Sequence, residues 1–253
     1  MKIRVKFSKH GPVKYVGHLD MMRYFQKANR RAKVDICYSE GYSPHQIMSF
    51  ASPLGVGMES DAEYFDMQLK SSPSSEEAIR NLNAVMAEGI EVTDYVLLSD
   101  TAKKAMTVTA ATDYELHFRK GHEPLASEES LPEKLDAFLQ QKEILILKKT
   151  KKCEKLTDIR PLIYQAECFV AKEEDDRYES LGLRFRLASE SGKSLNVKLF
   201  MESLYRFCGK EYDPLAYQTI RKEVYLQTEE GSFLPLSSAG QRILSPIKEE
   251  EAL

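Results

Sequence analysis

The chain has no tryptophan, and its four cysteines are scattered over 253 residues. Cys37, Cys153, Cys168 and Cys208 are nowhere closer than fifteen positions. That spacing offers no CxxC pair and no CxxxCxxC set. A zinc site or an iron–sulfur cluster held by this chain is therefore not expected, and no metal or cofactor is assigned. The cysteines read as reduced, mostly buried thiols. No apolar run reaches the length needed to cross a bilayer, so no membrane partner is expected. The opening residues MKIRVKFSKHG alternate charged and apolar side chains and do not form a signal peptide. A cytoplasmic location is the expectation.

What is present points to a folded, charged protein. Apolar residues make up 42% of the chain, and 13 Tyr with 11 Phe replace the missing Trp as large buried surfaces. The length suits one large or two medium domains. A net charge of −3 hides an asymmetry. Residues 1–50 carry ten Lys and Arg against three acids, so the rest of the chain is strongly acidic. A basic block in an acidic protein suggests a local polyanion site; a solvated charged face is the plainer alternative.

Periodicity divides the chain into two similar halves. Ile3, Val5 and Phe7 alternate with cations in IRVKFSK, the pattern of a half-buried strand. A helix is expected from about Leu19 to Lys33, with Leu19, Met22, Phe25, Asn29 and Ala32 on one side. Arg23, Lys27, Arg30 and Arg31 fall on another side, within an arc of about 100°. A strand over Ala62–Leu69, a helix opened by SSPSSEEA and a strand over Ile90–Leu98 follow. The second half reads likewise: ATDYELHFR a strand, SLPEKLDAFLQQ a helix with Pro132 in its first turn, and EILILKKTKK a strand. Its partners are expected in IRPLIYQAECFVA and LGLRFRLAS, before the helix SLNVKLFMESLYRF and the strand KEVYLQ. The expected architecture is α+β, two duplicated ferredoxin-like (split βαβ) halves in a pseudo-two-fold protein. The halves are placed at 1–105 and 106–240, with an acidic flexible tail over 241–253.

The stretch from Lys14 to Asp66, KYVGHLDMMRYFQKANRRAKVDICYSEGYSPHQIMSFASPLGVGMESDAEYFD, resembles the N-terminal signature of the radical-SAM-linked proteins, a bacterial family of unknown function. GHLD, RRA, YSEG, the Pro44–His45 pair and EYFD carry the resemblance. Ser43 departs from the Asn expected in most relatives. KKTKKCEKLTDIRPLI is similar to that family's second-half motif. The resemblance implies a partner more than an activity: members occur beside, or fused behind, cobalamin-type radical SAM proteins. Their gene surroundings, with RNA-processing and ribosomal genes, lean toward RNA.

The motifs have their own chemistry. Gly17 frees the backbone ahead of the helix, and Asp20 suits its first turn. His18 stands near the bare helix amides, where an anion is favoured. Arg23, Lys27, Arg30 and Arg31 can track phosphates, and Lys14 lies nearby in sequence. In YSEGYSPHQ, Gly41 and Pro44 punctuate a loop beside Glu40. Tyr38 and Tyr42 offer rings for stacking, and His45 and Gln46 offer hydrogen bonds to bases. Glu63 and Asp66 of EYFD lie three apart on a strand and face opposite sides, which rules out a paired-carboxylate catalyst. Glu63 is expected to neutralise an arginine of the basic helix. Lys149, Lys152 and Arg160 are the matching cations of the second half.

The expected function is a non-catalytic RNA-binding or substrate-presenting partner of a radical SAM enzyme, in tRNA or rRNA modification or processing. The alternative is a metal-independent endoribonuclease using His18 or His45 as general acid or base. Against it, no glycine-rich loop of the kind such enzymes use lies near the C-terminus. A pseudouridine synthase is set aside because its GRTDxGVHA-type aspartate motif is missing.

Overall fold

The computed structural model describes residues 1–149, 154–171 and 175–248. The chain is α+β, with five α-helices among the described residues and antiparallel strand pairing. No helix among those residues is long and apolar enough to cross a membrane. Two compact units are formed, Met1–Ala110 with Arg221–Leu253, and Ala111–Ile220. The sequence reading divides the chain near 105 and 240; in the structure the residues from Arg221 onward return to the first unit.

The first unit runs β1 (Lys2–Lys9), α1 (His18–Arg31), β2 (Met48–Phe50), β3 (Glu59–Gln68), β4 (Ser71–Ser72), α2 (Ser75–Asn83), β5 (Ile90–Leu98) and α3 (Ala105–Val108). The second takes over within β6 (Thr109–Arg119). It continues through α4 (Leu131–Leu139), β7 (Leu145–Lys149), β8 (Glu154–Asp158), β9 (Ile163–Val170), β10 (Tyr178–Glu190), β11 (Lys193–Ser194) and α5 (Val197–Phe207). β12 (Tyr217–Gln227) leads back to the first unit, which closes with β13 (Phe233–Pro235), β14 (Gly240–Gln241) and β15 (Ile247–Lys248).

In the first unit the strands lie in the order β5, β1, β3, β2. Alternation along β1 sends Ile3, Val5 and Phe7 to the helix side, where they meet Met21 and Phe25 of α1 and Ala78 and Leu82 of α2. Phe7, Phe25, Phe50 and Phe65 form a continuous aromatic cluster; the Phe7 and Phe25 ring centres are 4.6 Å apart and those of Phe25 and Phe65 4.8 Å. Burying such rings contributes on the order of 1.5–3 kcal/mol each.

The other face of β1 is not a row of solvated cations. Arg4 is 1% exposed. It grips Asp66 with two bonds, of 2.8 and 3.1 Å, and donates to the Leu236 carbonyl at 2.9 Å. Lys6 pairs with Glu223 at 2.6 Å. The acceptors at 223 and 236 come from the returning end of the chain, which sequence periodicity cannot reveal. Glu63, on the opposite face of β3 from Asp66, pairs at 2.7 Å with buried Arg221 and not with an arginine of α1.

Within α1 the buried residues are Met21, Phe25, Ala28 and Asn29. Leu19, expected inside, is 62% exposed. The inward side is rotated about Phe25 toward Met21 and Ala28, because the helix settles its middle turns on the aromatic cluster.

In the second unit the order is β9, β10, β6, with the opening residues of β12, 217–220, beside β6. β7 does not pair with β9 or β10 as expected; it makes a separate hairpin with β8, Leu147 opposite Leu156. α5 is capped by Asn196, whose side chain accepts from the Leu199 amide at 2.9 Å. Of the expected acidic tail over 241–253, Gln241 belongs to β14, paired with β5, and residues 247–248 form β15, paired with β4; Ile243 between them in sequence is buried. Residues 249–253 lie outside the described residues, as does Cys153. Cys37, Cys168 and Cys208 are half-buried; burial pushes the Cys168 thiol up to about 11.

Candidate nucleic-acid interface

The approach to α1 is tied down by a cation. Lys9 turns its ammonium inward and donates to the Val16 carbonyl at 2.7 Å and the Lys14 carbonyl at 3.3 Å. Burial lowers its pKa, against the opposing pull of Glu63. Gly17 then caps α1 with extended backbone and no side-chain bond. His18 is half-buried, its ring edge-on to Phe50 at 5.4 Å. Asp20 sits exposed in the first turn, where its charge suits the helix dipole, and pairs with Arg23 at 3.2 Å.

Arg23, Lys27, Arg30 and Arg31 are all exposed. They span about 12 Å of helix axis. Arg23 is shared with Asp20, an exposed pair of little strength. Arg31 donates to the Val85 carbonyl at 3.0 Å and lies over the Tyr24 ring. Arg30 reaches only the Gln26 carbonyl of its own helix, at 3.4 Å. Among the described residues no carboxylate pairs with Lys27, Arg30 or Arg31. Their charge is therefore available to an external anion.

Residues 38–46 form a short hairpin. Tyr38 bridges Gln46, and the Ser39 amide donates to the His45 carbonyl at 2.8 Å. Gly41 takes a φ of +110°, which a side chain would resist, and it turns the tip. Glu40, Tyr42, Ser43 and Pro44 are exposed, and Tyr42 stands fully in solvent. Tyr38 is 48% exposed. The His45 Nδ1 lies 2.8 Å from the Ser39 hydroxyl, which holds the exposed imidazole in one orientation.

Gln46 is not a base-reading group. It is 4% exposed and fastens the hairpin to α1. Its amide nitrogen donates to the Gln26 carbonyl at 3.0 Å, and its oxygen accepts from Asn29 at 3.2 Å. The Asn29 Oδ1 is buried with no partner. This amide staple sets Tyr38, Tyr42 and His45 beside the helix. The sequence reading missed it, although an Asn on an apolar helix side was its visible signal.

The remaining predicted site residues lie apart from this group in role. Lys14 is held mostly buried by Glu59 at 3.3 Å and lies over the Tyr15 ring. Arg160 belongs to the second unit and spends its guanidinium on the Leu139 carbonyl (2.6 Å) and the Ile163 carbonyl (3.2 Å). Lys149 ends β7, and Lys152 lies outside the described residues. Among the described residues no three His, Cys, Asp or Glu side chains gather as a metal cage.

An α+β chain with an exposed cationic helix and a stapled aromatic hairpin is thus defined. The chain belongs to the bacterial family described as "Uncharacterized protein conserved in bacteria (DUF2344)", whose model matches residues 2–198. No curated protein matches it.

Proposed function

We propose that α1 and the 38–46 hairpin bind single-stranded or looped RNA. The carrying observation is the pairing of unneutralised Lys27 and Arg30 with a fully exposed Tyr42 on a hairpin that Gln46 fixes to the same helix. Cations along a backbone path beside stacking rings suit an unpaired strand. The chain acts as a non-catalytic, cytoplasmic RNA-binding or substrate-presenting partner of a radical SAM enzyme, in tRNA or rRNA modification or processing. Support for that partner is the likeness of residues 14–66 to the radical-SAM-linked signature. We read each unit as a ferredoxin-like split βαβ. The order β5, β1, β3, β2 recurring as β12, β6, β10, β9 supports this, with helices after the first and third strands of each set.

The endoribonuclease alternative draws on the Ser39–His45 contact, which orients an exposed imidazole. Cleavage of RNA by the purified chain, abolished by His45→Ala, would favour it over the binding role.

The test of the main reading is a salt titration of RNA affinity. The double variant Lys27→Ala, Arg30→Ala should weaken binding to all RNAs and flatten the log–log salt slope by roughly 0.7 per lost phosphate contact. Tyr42→Ala should cost about 1–3 kcal/mol and leave the slope nearly unchanged. Unaltered affinity in both variants overturns the reading.

A further inference from the structure

The second unit contains a cavity of about 250 Å³ between the end of β6 and the segment leading to α4. Its bed is apolar, made by Phe118, Leu125, Leu131 and Leu181. The first three are buried. Arg119 and His122 complete the lining.

Arg119 is held by a neutral side chain. Its Nη2 donates to the Gln218 Oε1 at 3.1 Å, and its Nε is buried with no acceptor. No carboxylate among the described residues pairs with it. A half-buried guanidinium left this way is uncompensated, and an incoming anion would relieve it. His122 is oriented by Asp213, Nδ1 to Oδ2 at 2.7 Å, which leaves Nε2 as its remaining polar atom. Three glutamates also line the cavity, Glu123, Glu128 and Glu179. Glu123 is taken by Lys210 and Glu128 by the Ser180 hydroxyl; both stand exposed, where water screens them. These rim acids disfavour a dianion such as phosphate. A planar, singly charged carboxylate matches the guanidinium fork. The apolar bed calls for a hydrocarbon body. The volume falls below the roughly 300–1,000 Å³ of drug-sized sites, so the ligand has on the order of ten non-hydrogen atoms.

We propose that this cavity binds a small monocarboxylate with an apolar body, the carboxylate on Arg119 and the body against Phe118, Leu125 and Leu131. The proposal stands on the second unit alone and is independent of the RNA reading.

The probe is phenylacetate, titrated into the full chain and followed by amide and methyl NMR. Saturable shifts centred on Arg119, Leu125 and Leu131 are expected. Phenylacetamide has the same shape without the charge and should bind the unaltered chain at least about tenfold more weakly. Arg119→Gln should weaken phenylacetate by a similar factor while the amide is unaffected. The amide comparison needs no variant, so it stands even if Arg119→Gln fails to fold. No saturation up to about 20 mM phenylacetate, equal binding of acid and amide, shifts centred elsewhere, or preference for phenethylamine would each overturn the proposal.

Discussion

Arg4 illustrates how one residue is decided by partners far away in the chain. Its guanidinium is fully enclosed, and Asp66 answers it with a two-point contact while also accepting from the Ala105 amide at 2.7 Å. Removing one member of such a pair strands the other charge in a dry interior. Asp66→Ala should therefore lower unfolding stability by about 3–5 kcal/mol, read as a lower urea midpoint. A loss under about 1 kcal/mol would show that water reaches Arg4.

Tyr95 gives a pH dependence. Its hydroxyl is buried beside the Ser72 hydroxyl at 2.9 Å, and burial pushes its pKa from 10.0 up to about 12. The folded state thus holds the proton more tightly than the unfolded chain. The corresponding stability is intact below pH about 10 and is lost as the pH rises toward about 12. Urea midpoints across that window should fall more steeply for the wild type than for Tyr95→Phe. Parallel curves for the two proteins would remove Tyr95 as the cause.

At the scale of elements, α1 and the hairpin after it form one piece because Gln46 joins them. Replacing Gln46 by Ala removes its bonds to Gln26 and Asn29 and leaves the buried Asn29 amide with neither polar atom satisfied. The expected cost is about 1–3 kcal/mol. Hydrogen exchange at the Ser39 amide should quicken, because the hairpin loses its anchor while its own short ladder is weak. Exchange as slow as in the wild type would mean that the Tyr38–Gln46 bridge holds the hairpin unaided. The exposed side of α1 was legible from sequence, since Arg23, Lys27, Arg30 and Arg31 share one arc of any helix. The inward side was legible only in part. Phe25 and Asn29 face inward as expected, but Leu19 does not, because it lies about 120° around the helix from Phe25, which fixes the inward phase with Met21 and Ala28.

At the scale of the whole molecule, the chain completes its first unit last. Arg221, Glu223 and Leu236 supply partners for Glu63, Lys6 and Arg4. A chain ending at Ile220 would leave Glu63 buried without Arg221 and would uncover the Tyr64 and Ala62 face that Val224 and Leu236 cover. Its first unit should lose its cooperative transition in urea or thermal unfolding. A truncated chain that unfolds at the full-length midpoint would contradict this account.

The sequence by itself determined the α+β class, most of the helices and the alternation of β1. These are local periodicities of 3.6 and 2 residues, set by backbone geometry. It also determined that a cationic helix precedes a turn-rich aromatic stretch, because both are runs of adjacent residues. Only the tertiary structure decided which polar groups are spent on the fold. Arg4, Lys9, Gln46, Glu63 and Arg160 look as available in sequence as Lys27 or Arg119, yet each is consumed by a partner or carbonyl that the fold brings within bonding distance. Burial makes those bonds obligatory, and burial is a property of chain closure that no short window of sequence contains.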